Sequence, residues 1–329
     1  MKKLGHKDYQ VCWICPLDIE RTAAEAMLDE KHESLPSSSQ EDSNIYTLGR
    51  IGIHNIAIAG LPVGDSVSMA NAAKDMKYTF PAMRVVLLVG IGGGSGTKHI
   101  RLGDIVIGYP DRKHNGVVQL DPDRVNPTST NPDGLELKNT LNRPRDLFLN
   151  VVKALQSKHQ GLSNDEEPGF VTFLNKAIEA RPRMRARYPG ADEDRLFEPT
   201  YEHPGAEVTC ESCNHESIVP RSSRPNTEPE IHTGLIASVT SVRRDSLTRD
   251  KLRQKFNILC FEMEAAGVMN NFPCLVIRGI SDYSDSHKND IWQPYAALAA
   301  AAYAKEWLLT FPVVRLNELE LVAGVNHGE

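Results

Sequence analysis

The stretch Cys260 to Asp282, CFEMEAAGVMNNFPCLVIRGISD, constrains the fold of this chain more than any other. It reads as a strand over Ile258 to Glu262, a short helix from about Ala265 to Asn271, and a second buried strand over Cys274 to Ile280. Phe272-Pro273 ends the helix, because proline cannot continue one and restricts the residue before it. Glu262 and Glu264 sit where the first strand gives way to the helix, and Arg278 and Asp282 at the end of the second. The carboxyl ends of apolar strands are where open α/β sheets place their ligand sites. As purely structural devices, Glu264 would complete a helix N-terminus and Asp282 would cap the next element. Those roles do not explain why two glutamates, an arginine and an aspartate cluster with so little sequence between them, so a functional site is preferred.

The chain has 329 residues, enough for one large α/β domain or two small ones, and 40% of them are apolar, enough for a core. The formal charge of −6 argues against a nucleic-acid backbone binder, which needs a basic face. The opening MKKLGHKDYQVCWICPLDIE is a poor signal peptide, since its apolar run is short and broken at Asp18 and Glu20. No apolar run approaches the roughly 20 residues of a membrane span. A soluble, cytoplasmic protein without membrane partners is expected. Cys260 and Cys274 read as core thiols. Cys12 and Cys15 lie on a strand-like run, where side chains three apart face opposite sides, so a redox pair is discounted. Cys210 and Cys213, near His203 and His215, form half of a zinc pattern, but no second ligand pair of standard spacing follows, and no metal is assigned.

Tyr9 to Ile14 predicts a first strand, leading through Glu20 and Arg21 into a helix with Ala23, Ala24, Met27 and Leu28 on its apolar stripe. Tyr46 to Arg50 and Asn55 to Gly60 read as a hairpin. A helix capped by Asp65 or Ser66 runs to about Tyr78. The run Arg84-VVLLV-Gly90 predicts a strand buried on both faces. It ends in Gly90-Ile-Gly92-Gly93-Gly94-Ser-Gly96, read as a glycine-rich turn whose amides converge on an anion or a hydroxyl. Two familiar glycine motifs are excluded. A P-loop needs adjacent Gly-Lys, and Thr97 separates Gly96 from Lys98; a dinucleotide fingerprint needs glycine where Ser95 stands.

The stretch 111–230 differs in character. It is polar and proline-rich, and reads as an elaborated insertion over one edge of the sheet, with helices at Arg145 to His159 and Phe170 to Ala180. Arg181 to Arg187 is expected on a solvated face. Regular structure resumes with a strand at Gly234 to Val239 and a helix at Ser246 to Phe256 capped near Asp245. An Ala-rich helix, Ala296 to Leu309, completes the fold, and a loosely held tail follows over 313–329. His54, His99, His114 and His287 read as loop or surface histidines without a role.

The same stretches carry a family likeness. Through WICPLDIERTAAEAMLDE, VGIGGGSG with IRLGDIVIG, CFEMEAAGVMNN, and CLVIRGISDYSD with HKNDIWQPYAA, the chain resembles the nucleoside phosphorylase and nucleosidase superfamily. It looks most like the fungal branch, whose domains occur alone or ahead of NTPase and repeat modules; no such module follows here, which favours a free-standing enzyme. The likeness spans one domain over about 8–312. It implies an α/β fold of three layers, α/β/α, on a mixed, partly closed sheet, in a homo-oligomer that acts on a small-molecule nucleoside or nucleotide. No cofactor is implied, beyond inorganic phosphate as co-substrate if the reaction is phosphorolytic.

By the same resemblance, Glu264 holds the ribose 2′- and 3′-hydroxyls and Met263 packs on the sugar face; Glu262 is placed with them in the substrate site by its position at the strand end. Asp282 protonates or hydrogen-bonds N7 of a purine. Glu20 positions the attacking water, with Arg278 near the nucleophile. Arg21 falls where phosphorolytic members bind phosphate, and Gly92 and Gly93 would hold phosphate or water. Ile91 and Leu88 stand where phosphate-binding residues are expected, which favours hydrolysis. Val242 stands where hydrolytic bacterial members stack a phenylalanine on the base, so base selectivity stays open.

Breaking a ribose–base bond builds positive charge on the sugar and negative charge on the base, which calls for carboxyl groups in two roles on opposite sides. Asp282 serves the leaving side, Glu264 steadies the developing cation and Glu20 the water. Two other readings stand beside cleavage. One is a nucleoside- or nucleotide-sensing domain with little turnover. The other is a nucleotidase-like role on ATP or AMP, which would need a basic pocket drawn from Lys98, His99 and Arg101, or from His287 and Lys288.

Overall fold

The computed structural model describes residues 2–36, 42–60, 66–120, 137–163, 165–205, 209–239, 245–272, 274–312 and 319. Val242, Asp65 and Pro273 lie outside the described residues, as does the tail apart from residue 319.

A central strand, β1 (Val11–Cys15), is buried at every position and pairs in parallel with β4 (His54–Gly60) on one side and β5 (Val85–Gly94) on the other. β3 (Tyr46–Ile51) forms the expected hairpin with β4, and β2 (Glu30–Lys31) ends that side of the sheet. Beyond β5 the order runs through β11 (Leu275–Asp282), β6 (Ile105–Gly108), β9 (Ile231–Val239), β7 (Val117–Leu120) and β8 (Leu137–Thr140). β10 (Ile258–Glu262) pairs with both β5 and β9. Strands β5, β11, β6, β9 and β10 therefore close on themselves, and parallel and antiparallel pairs mix within that ring. This is the mixed, partly closed sheet that the resemblance implies.

Strands buried on both faces need helices on each. α7 (Gln293–Thr310) lies against β5 and β11 and contacts α1 (Asp18–Ala26), α3 (Asp146–Gln160) and α4 (Gly169–Ala180). α2 (Ser66–Thr79) packs on the short α6 (Ala265–Val268), and α5 (Ser246–Phe256) on β10. Asp245 caps α5 as expected, accepting from the amides of Leu247 and Thr248. The stretch 111–230 contributes β7, β8, α3 and α4 to these same layers, and Phe148, Val152, Phe170 and Leu174 are buried in the main core. A buried glutamate organises their contact with α7. Glu306 accepts from the Phe170 amide at 3.0 Å and also meets His159 at 3.0 Å and Lys158 at 3.1 Å. Arg181, Arg183, Arg185 and Arg187 are exposed, as expected. No helix among the described residues is long and apolar enough to cross a membrane.

Three expectations need correction. The glycine run is not a turn: β5 continues through Gly94, between β11 and β10. Glycine usually weakens a strand, but here missing side chains let neighbours close in; a Cβ at Gly92 would stand 2.6 Å from Cys260 Sγ. The helix after Glu264 stops at Val268, short of Asn271. His54 and His287 are buried, at 3% and 6% exposure, and so are not surface histidines.

β11 meets α7 closely at Gly279, where a Cβ would overlap the Ala296 carbonyl oxygen and lie 2.6 Å from its carbon. Backbone on both sides leaves little room to adapt. Gly279→Ala is expected to destabilise the protein by about 1–3 kcal/mol, read as a lower urea midpoint at unchanged m-value; an unaltered midpoint would contradict this packing.

Candidate active site

Arg278 projects from β11 into a buried group of acids and is itself 1% exposed. Its Nη2 donates to Glu262 Oε2 at 2.6 Å and lies 3.1 Å from Glu264 Oε2, while Nη1 donates to the Ile91 carbonyl at 3.2 Å. Burial disfavours its charge, but the facing Glu262, Glu264 and Glu20 outweigh that and raise its pKa above the ordinary value. A buried charge persists only when paired in this way.

Glu262, at the end of β10, also accepts from the amides of Glu264 at 3.0 Å and Ala265 at 2.9 Å. It thus caps α6, the role considered for Glu264, whose own side chain makes no cap bond. Glu264 keeps Oε2 on Arg278, and Oε1 makes no hydrogen bond among the described residues. Burial pushes its pKa up; Arg278 opposes this, and Glu262 and Glu20 add to it.

Glu20 sits in the first turn of α1 and is 3% exposed. Its Oε2 accepts from the Leu17 amide and Oε1 from the Ile91 amide, each at 2.7 Å. Burial raises its pKa to about 7, against the pull of Arg278 and the two amides. Ile91 therefore touches both sides of the ion cluster, giving its amide to Glu20 and its carbonyl to Arg278.

Asp282 closes β11. Its Oδ1 accepts from the Ser284 amide and Oδ2 from Ser281 Oγ, each at 2.9 Å, with Lys288 Nζ 3.4 Å from Oδ2. Ser284 holds φ +54°, a left-handed conformation that non-glycine residues seldom adopt. Gly93 lies against this turn, since a Cβ there would overlap Ser284 Oγ and stand 2.8 Å from Asp282 Oδ1. Glu20 meets β5 at Gly90 and Ile91, and Asp282 meets it at Gly93. At about 3.3 Å per residue, these contact points on β5 lie two to three positions, ~7–10 Å, apart.

Glu20, Gly92, Met263, Glu264, Arg278 and Asp282 share the walls of one cleft of about 260 Å³, which Glu262 and Gly93 also line. Arg21 is not brought to it. Its Nε pairs with Glu25 at 3.3 Å and its Nη2 donates to Thr47 at 3.0 Å. Lys98 and His99 line a different cavity, with Arg249 and Arg253, and Arg101 lines another. Of the basic residues considered for phosphate after the glycine run or in the late loop, Lys288 alone reaches the cleft, among the described residues. Ser281 and Ser284, partners of Asp282, were not among the residues expected at the site; the S-D-x-S spacing around Asp282 is their signal in the sequence.

No protein-family model matches the chain. It is 39% identical over 304 residues, 92% of its length, to a nucleotide-binding leucine-rich repeat (NLR)-like protein of Hyaloscypha variabilis, of which it spans 29%. Over 84 residues, 24% of the chain, it is 34% identical to the ATP nucleosidase Cap17 of Escherichia coli, spanning 17% of that protein. Among solved structures, futalosine hydrolase of Helicobacter pylori superposes at a TM-score of 0.56 and 16% identity, covering 96% of this chain and 100% of that one. A 5′-methylthioadenosine/S-adenosylhomocysteine nucleosidase from Neisseria meningitidis, in complex with methylthio-immucillin-A, superposes at 0.56 and 16% identity, covering 91% and 98%.

Removing the guanidinium would leave its acids buried without a countercharge. Arg278→Met is expected to lose about 3–5 kcal/mol of stability at pH 8. The loss should shrink towards pH 5, because Glu20 and Glu264, whose pKa values are already raised, then take up protons and shed their charge. Thermal melts of both proteins across that range measure it, and a pH-independent difference would contradict it.

Proposed function

We propose, for a chain that carries the fold of the nucleoside phosphorylase and nucleosidase superfamily, that this cleft hydrolyses the N-glycosidic bond of a purine nucleoside or nucleotide and releases the free base. The observation that carries the reading is the meeting of Glu20, Glu264, Arg278 and Asp282 in one cleft. The fold likeness to a futalosine hydrolase and to a nucleosidase supports it.

Glu264 accepts hydrogen bonds from the sugar hydroxyls, held in place by Arg278, and its charge favours the cation that develops on the ribose. Asp282 protonates or hydrogen-bonds N7 as the bond from C1′ to the base breaks. Lys288 stabilises its carboxylate form. Glu20 takes a proton from the water whose oxygen bonds to C1′. Its pKa of about 7 suits a base that works near neutrality. Water is favoured over phosphate because Arg21 is committed to Glu25 and Thr47, Leu88 is fully buried, and Arg278 already faces two carboxylates. The same reading takes the protein as a cytoplasmic homo-oligomer acting on a small molecule, which the family likeness supports.

A second reading, a sensing domain with little turnover, is favoured by one observation, the match to part of an NLR-like protein. A product assay on adenosine, inosine, guanosine, uridine and ATP, with and without phosphate, separates the two. Free base without phosphate is expected. Base released only with phosphate would make the enzyme a phosphorylase, and no cleavage of any of them would support the sensor. In the same assay Asp282→Asn should lower turnover by ~100- to 10,000-fold at an unchanged melting temperature; wild-type turnover would remove Asp282 from the mechanism.

The pH profile tests Glu20. Both carboxylates must be ionised to act, so kcat/KM should fall as pH drops through neutrality, where Glu264, raised by burial to about 8, and Glu20, at about 7, take up protons. Glu20→Gln should abolish most of the activity. A limb near the ordinary carboxylate range, around pH 4.3, would show that another group governs the water.

A further inference from the structure

The Cys210-x-x-Cys213 pair stands apart from the cleft, in a small buried cluster with Phe197. Neither cysteine is in a disulfide, the two thiols hydrogen-bond each other, and donor atoms of His203, Cys210 and Cys213 lie within 4.8 Å of one another. A tetrahedral zinc, with bonds of about 2.0–2.3 Å, sets its donors ~3.3–3.8 Å apart, so small side-chain shifts would bring the three to bonding positions. His203 Nε2 lies 3.0 Å from the Thr209 carbonyl. Donation there leaves Nδ1 as the free nitrogen, and metal-bound imidazoles are usually oriented by such a bond. The other acid–histidine cluster, Asp104 with Glu230 and His232, is unlike this one, because Arg224 already neutralises Asp104.

These residues grip the turn that follows Asp282. The His203 amide donates to Ser286 Oγ at 3.0 Å, and Cys210 Sγ donates to the His287 carbonyl at 3.8 Å. The His287 ring stacks on Phe197 with centroids 3.9 Å apart and lies 5.4 Å from the ring of His203. It is 6% exposed, and neither ring nitrogen has a hydrogen-bond partner among the described residues. An imidazole whose N–H and lone pair are both without a hydrogen-bond partner, with only Asp285 Oδ1 at 3.8 Å from Nδ1, calls for a ligand; its nitrogens lie outside the 4.8 Å group, so the ring turns to reach it. The next residue, Lys288, is the one that reaches Asp282.

We propose that Cys210, Cys213 and His203 bind a zinc ion, with His287 as fourth donor, and that the ion fixes the Ser286–Lys288 turn that sets Lys288 beside Asp282. Binding releases the two thiol protons to solvent and forms two Zn–S bonds. The inference does not depend on the reaction proposed above, because metal content is read directly.

The test uses the whole chain, purified anaerobically with zinc and dialysed. Atomic emission should find one zinc per chain, and none in the double variant Cys210→Ser/Cys213→Ser. Cobalt(II) should give a thiolate-to-metal charge-transfer band, and His287→Ala should shift the visible cobalt bands. In the wild-type protein, chelation should speed hydrogen exchange over 282–290 while exchange in the core strands stays slow. Absence of bound zinc, zinc retained by the double variant, a cobalt spectrum indifferent to His287→Ala, or recovery of Cys210 and Cys213 as a disulfide would overturn the proposal.

Discussion

A guanidinium buried to 1% exposure, held between the carboxylates of Glu262 and Glu264, is the interaction on which the rest of the site depends. Arg278 belongs to β11, Glu262 to β10, and both strands flank β5 within the closed part of the sheet. The ion pair thus ties the ring together at the point where its strands end. It also sets the electrostatics. Burial, and after it the neighbouring acids, raises the pKa values of Glu20 and Glu264 against the pull of Arg278, and the cation holds its proton more firmly than usual.

The glycines of β5 are the steric counterpart of that charge cluster. Gly90 leaves room for Glu20 and Arg278, Gly92 for Cys260, and Gly93 for the Asp282 turn. Each is a place where a side chain would push a functional group off the strand. The strand then serves as a ruler: it carries the partner of Glu20 at one position and the neighbour of Asp282 two residues on. The points at which Glu20 and Asp282 meet the strand are thereby kept ~7–10 Å apart.

Much of this was legible in the sequence, for a physical reason. Glu262, Glu264, Arg278 and Asp282 fall on one strand–helix–strand unit, so apolar runs and their boundaries were enough to group them. Glu20 was different. It meets Ile91 across 71 positions of sequence, and only the family likeness pointed to it. The closure of the sheet was likewise hidden, because β10 pairs with β9 and β5 through contacts that no local pattern encodes. The glycine run was misread as a turn since glycine's usual effect on a strand is to weaken it. Glu306, one acid in an Ala-rich helix, gave no hint that it anchors α3 and α4. The cysteine pair reads as half of a zinc pattern because no second ligand pair of standard spacing follows it, and the approach of the His287 ring to His203 comes from a distant turn.

In the proposed hydrolysis, water reaches the sugar carbon from the Glu20 side. A single-turnover reaction in ¹⁸O-labelled water, quenched early and analysed by mass spectrometry, tests that most directly. Label on C1 of the released sugar is the predicted result. Unlabelled sugar 1-phosphate formed in the presence of phosphate, or intact nucleoside under every condition, would contradict it.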